Sequence, residues 1–131
     1  MAVGDKRLRG FYCEMGTPHF VIEVNELPTD DEFRFLGEIL ESHGGLKERV
    51  SVDWFVQNED CADVRIWERS CGETLSCGTG ASAVALCMAK NSASSKFIVR
   101  CKGGELQASL TENAVNISGG AQFVFSGSFR I

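Results

Sequence analysis

The sequence predicts an α+β domain in which a mostly antiparallel, strongly curved sheet wraps around a central apolar helix, with one further helix. Two observations support this prediction. Short β-rich segments separated by turn residues recur along the chain, as is typical of a sheet of short strands. The stretch from Thr79 to Ala89 carries no charged residue, and a helix without a polar face has to be enclosed by protein.

The first half of the chain is predicted to contain four strands and the further helix. Residues 27–32 offer an N-cap, with acidic residues placed to suit the dipole of a following helix. Phe33, Leu36 and Leu40 then recur at helical spacing, and a His-Gly-Gly sequence ends the segment. The predicted strands are residues 7–14, 19–24, 49–57 and 62–67, with a turn at 16–18.

The second half is predicted to add the apolar helix and a meander of strands. Turn residues at 103–104, 112–113 and 119–120 divide the meander. No internal repeat, low-complexity segment or linker interrupts the sequence, so we expect residues 1–131 to form a single domain. The predicted strands of the meander are residues 96–101, 105–111, 115–117 and 122–125.

The composition excludes several classes of function. The chain has 13 Lys and Arg residues against 18 Asp and Glu residues, which gives a net charge of −5. No basic stripe is available to neutralise a phosphate backbone, so we expect no nucleic-acid partner, whereas a small anionic substrate is compatible with the sequence. The longest uncharged apolar stretch is far shorter than a membrane span, so we expect no membrane insertion.

The cysteine content is high for a chain of this length. No Cys-x-x-Cys or His-x-x-x-His spacing occurs, which argues against a metal site. The N-terminus lacks the apolar segment of a secretory signal, so we expect a cytoplasmic protein with reduced thiols. Cys71 has no assigned role. Four cysteines are expected to be core residues: Cys13, Cys61, Cys87 and Cys101.

The segment before the apolar helix combines reactive and anion-binding features. A helix N-terminus favours anions and the thiolate form of cysteine, and Cys77 stands at this position, so we expect its pKa to fall. Gly78 and Thr79 can offer backbone N–H groups to a carboxylate. Glu68 can accept hydrogen bonds from an ammonium group, and Arg69 can pair with an anion. The segment therefore predicts an α-amino-acid site.

Three other interpretations of this segment stay open. It can be only a tight strand-to-helix connection, with Cys77 in the core. A phosphate loop is a weaker alternative, because the Lys-Ser/Thr that follows the last glycine of a Walker A motif is missing. A redox pair of Cys71 and Cys77 is the third, although this spacing matches no common dithiol motif.

Residues 68–81, Glu-Arg-Ser-Cys-Gly-Glu-Thr-Leu-Ser-Cys-Gly-Thr-Gly-Ala, resemble a signature in the C-terminal half of diaminopimelate epimerases. The family pattern is Glu-Arg-Gly-x-Gly-Glu-Thr-x-(Ala/Ser)-Cys-Gly-Thr-Gly-Ala, and the main departure is Ser70 in place of Gly. Further segments agree with the family in order, so that the resemblance spans nearly the whole chain: residues 16–20, 51–53, 103–106 and 119–127.

The resemblance implies one lobe of a two-lobe enzyme. Such enzymes interconvert LL- and meso-diaminopimelate, for lysine and peptidoglycan precursors, without a cofactor or metal. One cysteine from each lobe acts on the α-carbon, and Cys77 corresponds to one of the two. The other lies in a Cys-Gly-Asn-Gly turn of the N-terminal lobe, which this sequence does not contain. We therefore expect residues 1–131 to be the C-terminal lobe, from a truncated, split or partial gene, and not to be a competent epimerase alone.

The resemblance also implies roles for the residues around the thiol. Cys77 is the acid/base group. Gly78 and Thr79 make backbone contacts with the reacting carboxylate. Glu68 holds the reacting amino group, and Arg69 binds the distal carboxylate.

Two implied substrate-binding positions depart from the family. Thr17 and Ser51 align with two asparagines that help to bind the distal end of diaminopimelate. Their hydroxyls still donate and accept hydrogen bonds, but they are shorter and offer no amide. A different or broader amino-acid specificity is therefore an open alternative. His19 matches the family and, as a lone histidine, is expected to be a structural hydrogen-bonding residue.

Two further hypotheses concern the partner of this chain. Instead of meeting a second lobe, two copies can pair across the same surface and place their Cys77 thiols opposite each other, as a half-enzyme for another amino acid. Alternatively, the chain is a non-catalytic domain that binds amino acids in the anion pocket. In all three hypotheses the ligand is a small-molecule amino acid.

Overall fold

The computed structural model of the chain describes residues 1–4 and 6–131. Within those ranges it contains two helices and ten strands, which confirms the predicted α+β class. The helices are α1 (Asp30–Glu41) and α2 (Gly78–Ala89), and neither of them is long and apolar enough to span a membrane. The strands are β1 (Ala2–Val3), β2 (Lys6–Arg7), β3 (Phe11–Glu14), β4 (Pro18–Glu23), β5 (Ser51–Asn58), β6 (Cys61–Glu68), β7 (Gly72–Thr74), β8 (Lys96–Cys101), β9 (Gly104–Leu110) and β10 (Val115–Gly119).

Eight strands form one sheet in the order β10-β9-β8-β6-β5-β4-β3, with β7 paired to β6. In the described part of the chain, the pairs β4–β5 and β6–β8 are parallel and the other neighbours are antiparallel. A parallel pair needs a long crossover, and α1 and α2 lie in the two crossovers. The sheet is therefore mostly antiparallel, as predicted.

The sheet curls around α2. This helix packs against β3 and β4 near one end of the strand order and against β9 and β10 at the other end. Its buried residues, among them Val84 and Met88, form a core with the inward-facing side chains of Val21, Phe55 and Val99. The enclosure of a helix that has no polar face confirms the predicted central apolar helix.

Helix α1 lies on the opposite face of the sheet. Successive residues of a strand point to opposite faces, so Val52 and Trp54 pack with α1 while Phe55 packs with α2. The rings of Trp54 and Phe33 of α1 have centroids 4.9 Å apart. The same alternation places Asp53 on the inner face, toward α2.

Helix α1 begins at the predicted cap. The side chain of Thr29 accepts a hydrogen bond from the Glu32 N–H, and the Glu32 carboxylate accepts one from the Thr29 N–H, which makes a capping box. The helix ends at Glu41, two residues before the His-Gly-Gly sequence that was expected to end it.

The strand predicted over residues 7–14 is not a single strand. Lys6–Arg7 pairs with Ala2–Val3, and only Phe11–Glu14 joins the main sheet. Between the two pieces, a Cβ added to Gly10 would come within 2.4 Å of the Phe20 ring. Gly10 therefore allows close packing against Phe20, in the core on the α1 side of the sheet, and does not take part in strand pairing.

The prediction of a strand over residues 122–125 is wrong. Residues 120–131 have no regular secondary structure, and Phe123, Phe125 and Phe129 are 81%, 80% and 88% exposed. The sheet ends at β10, and no strand of the described chain pairs with the segment that follows it. The β-type pattern is present, but its apolar side chains have no surface of this chain to cover.

Gly37, in the middle of α1, provides a test of this packing. A Cβ at Gly37 would lie 2.4 Å from the Trp67 ring, and the indole N–H of Trp67 is held by Glu41 at 2.8 Å. We expect Gly37→Ala to lower the free energy of unfolding by about 1–3 kcal/mol, because overpacking against a fixed ring outweighs the gain in helix propensity. Urea unfolding followed by circular dichroism measures the change.

Gly44→Ala is the matched control, because a Cβ at Gly44 meets no atom within 4 Å. We expect its free energy of unfolding to stay within about 0.5 kcal/mol of the wild-type value. A Gly37→Ala variant as stable as the wild-type chain would contradict the packing of Trp67 on α1.

Candidate functional site

Cys77 lies at the N-cap of α2, the helix start where the sequence placed it. Its backbone is extended, with φ −141°, and its sulfur accepts a hydrogen bond from the Gly80 N–H at 3.4 Å. The first backbone donor inside the helix is the Ala81 N–H, 2.9 Å from the Cys77 carbonyl, so the earlier amides have no acceptor within the helix. The sulfur therefore sits at the positive end of an enclosed helix.

The helix end is open on the side of Gly78. This residue is exposed, and a Cβ built on it would meet no atom within 4 Å. The absence of a side chain at Gly78 therefore leaves room for an anion beside the start of the helix.

The Thr79 hydroxyl connects the sulfur to a buried polar pair. Thr79 Oγ1 lies 3.3 Å from Cys77 Sγ and 3.0 Å from His19 Nε2. His19 Nδ1 lies 2.7 Å from Asp53 Oδ2, and Thr17 Oγ1 lies 3.0 Å from His19 Nε2. The turn before β4, the first half of β5 and the start of α2 therefore meet at one point.

The pair of His19 and Asp53 is fully buried, with both side chains 0% exposed. Asp53 Oδ1 has no hydrogen-bond partner in the described residues, and a Cβ on Gly80 would lie 2.9 Å from it. Burial raises the pKa of Asp53, and the hydrogen bond and charge of His19 oppose part of this rise. The prediction of a hydrogen-bonding role for His19 agrees with these contacts, whereas Asp53 was not among the predicted site residues.

Glu68, at the end of β6, is held near the thiol. The hydroxyl of Thr74, in β7, donates to Glu68 Oε1 at 2.6 Å. The negative charge of Glu68 acts on both Cys77 and Asp53, whose pKa values it raises. The structure therefore brings Glu68 to the same end of α2 as the thiol.

The predicted fall in the pKa of Cys77 is wrong for this chain. Burial of the thiol raises its pKa, and the charges of Glu68 and Asp53 add to the rise. Hydrogen bonds from Thr79 and Gly80 stabilise the thiolate but offset only part of these effects. The N-terminus of α2 favours the thiolate of Cys77, but burial and the carboxylates of Glu68 and Asp53 have the larger effect on its pKa.

Ser51 and Arg69 form a second group of predicted site residues. The Ser51 hydroxyl accepts a hydrogen bond from the Arg69 N–H at 3.1 Å. The guanidinium of Arg69 is directed to the preceding loop, where Nη1 donates to the Arg49 carbonyl at 3.3 Å and lies 3.7 Å from Glu48. In the described residues no hydrogen bond or ion pair joins this group to Cys77, so the charge of Arg69 is directed elsewhere.

Glu41 supports the site from the end of α1 and was missed by the sequence analysis. Its buried carboxylate accepts hydrogen bonds from the Trp67 indole N–H and the Ser70 backbone N–H, both at 2.8 Å, and pairs with Arg49. Ser70 has φ +67°, in the left-handed region that favours glycine, and it stands where the family pattern has Gly. Glu41 therefore holds a strained turn that directly follows two predicted binding residues. No local pattern marks it, because its hydrogen-bond donors Trp67 and Ser70 are 26 and 29 residues away.

The other cysteines are also free thiols. Cys13 is buried, as predicted, whereas the other three expected core cysteines are only half-buried and Cys71 is exposed. Burial raises the pKa of Cys101, which accepts hydrogen bonds from Ser76 and the Cys77 backbone and so lies against the start of α2. In residues 1–4 and 6–131, no three His, Cys, Asp or Glu side chains are arranged to hold a metal ion.

The chain is similar in sequence to a family of known enzymes. A profile of the family described as diaminopimelate epimerase matches residues 11–124. Relatives described as diaminopimelate epimerase include a Leptospira biflexa protein, 38% identical over 120 residues, and a Halothermothrix orenii protein, 32% identical over 136 residues. The first match covers 89% of this chain and 42% of the relative, and the second covers 100% and 46%. The chain therefore spans less than half the length of these relatives.

Solved structures share the fold at low sequence identity. A phenazine biosynthesis PhzC/PhzF protein from Clostridium difficile aligns with a TM-score of 0.62 and 14% identity, over 76% of this chain and 36% of that one. A Pseudomonas aeruginosa protein described as a predicted epimerase aligns with a TM-score of 0.53 and 10% identity, over 76% of this chain and 35% of that one. These likenesses concern the fold alone.

The contacts of Glu41 predict an acid-sensitive contribution to stability. Burial by itself raises the pKa of Glu41, but hydrogen bonds from Trp67, Ser70 and Arg49 outweigh it and hold the pKa below its usual value. Such a group stabilises the fold above its unfolded pKa and loses that contribution as pH falls through the folded value. We expect Glu41→Gln to lower the free energy of unfolding by about 1–3 kcal/mol at neutral pH and by less near pH 3.

Urea unfolding at both pH values measures this difference. Glu38→Gln, which changes an exposed carboxylate on the same helix, is the control and is expected to stay within about 0.5 kcal/mol of the wild-type chain at each pH. A Glu41→Gln effect of the same size at both pH values would show that the carboxylate contributes no acid-sensitive stability.

Proposed function

We propose, since the chain belongs to the diaminopimelate epimerase family, that residues 1–131 form the C-terminal lobe of a two-lobe amino-acid epimerase. The family profile supports this, because it covers residues 11–124. The lengths of the relatives support it too, because this chain spans 42% and 46% of two of them. In this proposal the N-terminal lobe, with the second cysteine, is supplied separately from residues 1–131.

The thiol at the open helix end is the observation that carries the proposal. Gly78 and Thr79 begin α2 directly after Cys77, and a Cβ on Gly78 would meet no atom within 4 Å. An α-carboxylate bound to their backbone N–H groups brings its α-carbon toward the sulfur. The Glu68 carboxylate, at the same end of the helix, accepts hydrogen bonds from the α-ammonium group.

The proposed reaction is inversion at the α-carbon by two thiols. Inversion needs a base on one face of the carbon and an acid on the other, and Cys77 supplies one of the two. The negative charge that develops on the α-carbon spreads into the α-carboxylate, where the backbone N–H groups and the dipole of α2 stabilise it. This scheme uses no cofactor and no metal.

The raised pKa of Cys77 suits the proton-donating half of this scheme. Burial and the carboxylates of Glu68 and Asp53 favour the protonated thiol. A thiol that keeps its proton at neutral pH can return it to the carbanion. In the reverse direction the same sulfur must lose its proton first, which requires an acceptor.

We propose diaminopimelate as the substrate, and with it a role in making lysine and peptidoglycan precursors, from the descriptions of the relatives. Thr17 and Ser51 occupy the positions implied for the distal end, and their hydroxyls contact His19 and the Arg69 N–H. An amino acid without a distal carboxylate is the second candidate. The position of Arg69 favours this second candidate, because the guanidinium that would bind a distal carboxylate is directed toward Glu48.

The exposed C-terminal segment supports a macromolecular partner. Four apolar side chains of this segment are at least 80% exposed: Phe123 at 81%, Val124 at 83%, Phe125 at 80% and Phe129 at 88%. An exposed apolar patch of this kind is typical of a surface that another chain covers. We propose the N-terminal lobe as that partner, because the relatives are more than twice as long as the part they share with this chain.

We expect the chain to exchange the α-proton of diaminopimelate with deuterated water only when it is mixed with the N-terminal lobe of the Leptospira biflexa relative. Cys77→Ala is expected to lower the exchange rate at least about 100-fold, because it removes the acid/base group. Nuclear magnetic resonance of the substrate measures exchange. Cys71→Ala changes an exposed cysteine of the same segment and is the control, with the wild-type rate expected.

Absence of exchange from a mixture in which both lobes are folded would contradict the proposed function. Exchange by this chain alone, together with a dimeric mass in light scattering, would identify a second copy as the partner instead of a second lobe.

A further inference from the structure

His19 and Asp53 are buried beside the thiol and have no part in the proposed reaction so far. We infer that the imidazole of His19 takes the proton of Cys77 through the hydroxyl of Thr79, so that these groups form a proton relay. The assignment of this relay to an epimerase rests on the proposed function. The relay itself follows from contacts within this chain.

The distances form a continuous path from sulfur to imidazole. Cys77 Sγ lies 3.3 Å from Thr79 Oγ1, which lies 3.0 Å from His19 Nε2. A hydroxyl donates and accepts at the same time, so Thr79 can link the two groups. The Gly80 N–H, 3.4 Å from the sulfur, stabilises the thiolate that the transfer leaves behind.

Asp53 sets the direction of the relay. Its Oδ2 lies 2.7 Å from His19 Nδ1. In the relay Asp53 is ionised, and an ionised carboxylate can only accept a hydrogen bond, so Nδ1 carries a proton. The basic nitrogen of the neutral ring is then Nε2, which faces the Thr79 hydroxyl. The Thr17 hydroxyl, 3.0 Å from the same nitrogen, helps to fix the plane of the ring.

The transfer balances within the protein. The S–H bond of Cys77 breaks and its proton bonds to Thr79 Oγ1, while the O–H bond of Thr79 breaks and its proton bonds to His19 Nε2. A thiolate and an imidazolium result, and the hydroxyl is restored. No electron is transferred, no other reactant is needed, and the reverse step returns the proton to the sulfur.

The burial of Asp53 favours the imidazolium. Its side chain and that of His19 are 0% exposed, and Oδ1 has no hydrogen-bond partner in the described residues. A buried carboxylate is costly unless a positive charge faces it, and a protonated His19 is placed to supply that charge.

The titratable groups around the relay come from four strands, and one of them is Cys13 of β3, whose pKa is raised by burial and by the charge of Asp53. Glu68 of β6 and Asp53 of β5 act on the thiol, and Cys101 of β8 lies against the Cys77 backbone. Asp53 is also the charged group that faces His19. The two carboxylates oppose a bare thiolate, so an internal proton acceptor makes the thiolate easier to form than it would be without the imidazole.

The test is the pH dependence of Cys77 alkylation by iodoacetamide, measured by mass spectrometry on the whole 131-residue chain. The relay predicts that the alkylation rate rises at lower pH in the wild-type chain than in variants that lack the Thr79 hydroxyl or the buried pair of His19 and Asp53. Thr79→Val removes the hydroxyl at nearly constant shape, and we expect the rate at neutral pH to fall about tenfold or more. Thr79→Ser keeps the hydroxyl and is expected to stay within about threefold of the wild-type rate.

Variants of the buried pair separate the relay from a simple hydrogen bond between Thr79 and the sulfur. His19→Gln and Asp53→Asn both leave Thr79 in place, and the relay predicts that both shift the pH profile of alkylation to higher pH. Ser82→Ala is the control, because this hydroxyl, also in the first turns of α2, donates to the Gly78 carbonyl at 2.9 Å and lies outside the path. Circular dichroism identifies the variants that are folded.

Three results would overturn the relay. They are a wild-type pH profile that coincides with that of Thr79→Val, equal rates for Thr79→Val and Thr79→Ser, and a loss in Thr79→Val with wild-type profiles in the folded variants of the buried pair. The assay uses neither substrate nor second lobe, so the relay can hold where deuterium exchange fails. Exchange can equally succeed where the relay is absent, which keeps the two proposals distinguishable.

Discussion

The apolar surface of helix α2 is the constraint on which the rest of the structure depends. Because this helix has no polar face, the sheet curls until strands from both ends of its order lie against it. The curl brings the turn before β4, the first half of β5 and the end of β6 to the N-terminus of the helix. His19, Asp53 and Glu68 reach Cys77 for this reason, although they come from different parts of the sequence.

The same enclosure sets the electrostatics of the site. The end of α2 attracts anions, but the surrounding sheet removes water from the thiol and places two carboxylates near it. The result is a protonated Cys77 that lies one hydroxyl away from a buried imidazole.

Local patterns predict much of the fold and part of the site. The cap of α1 at Thr29 and the start of α2 at Cys77 follow from neighbouring residues, and both are present. Asp53 could not be recognised, because strand alternation places it inward without indicating what it meets. The strand expected over residues 122–125 fails for a related reason: a β-type pattern shows that a segment can pair, not that a partner is within reach. The pKa of Cys77 depends on carboxylates from other strands, which no local spacing reveals.

Glu41 joins the outer layer of the molecule to the inner one. It lies at the end of α1, on the face of the sheet away from α2, and its carboxylate holds the turn that follows Glu68 and Arg69. A tilt or shift of α1 therefore displaces that turn as well. The packing of α1 and the position of the turn beside Glu68 and Arg69 are therefore mechanically coupled, and a substitution in the outer core can move residues at the end of β6.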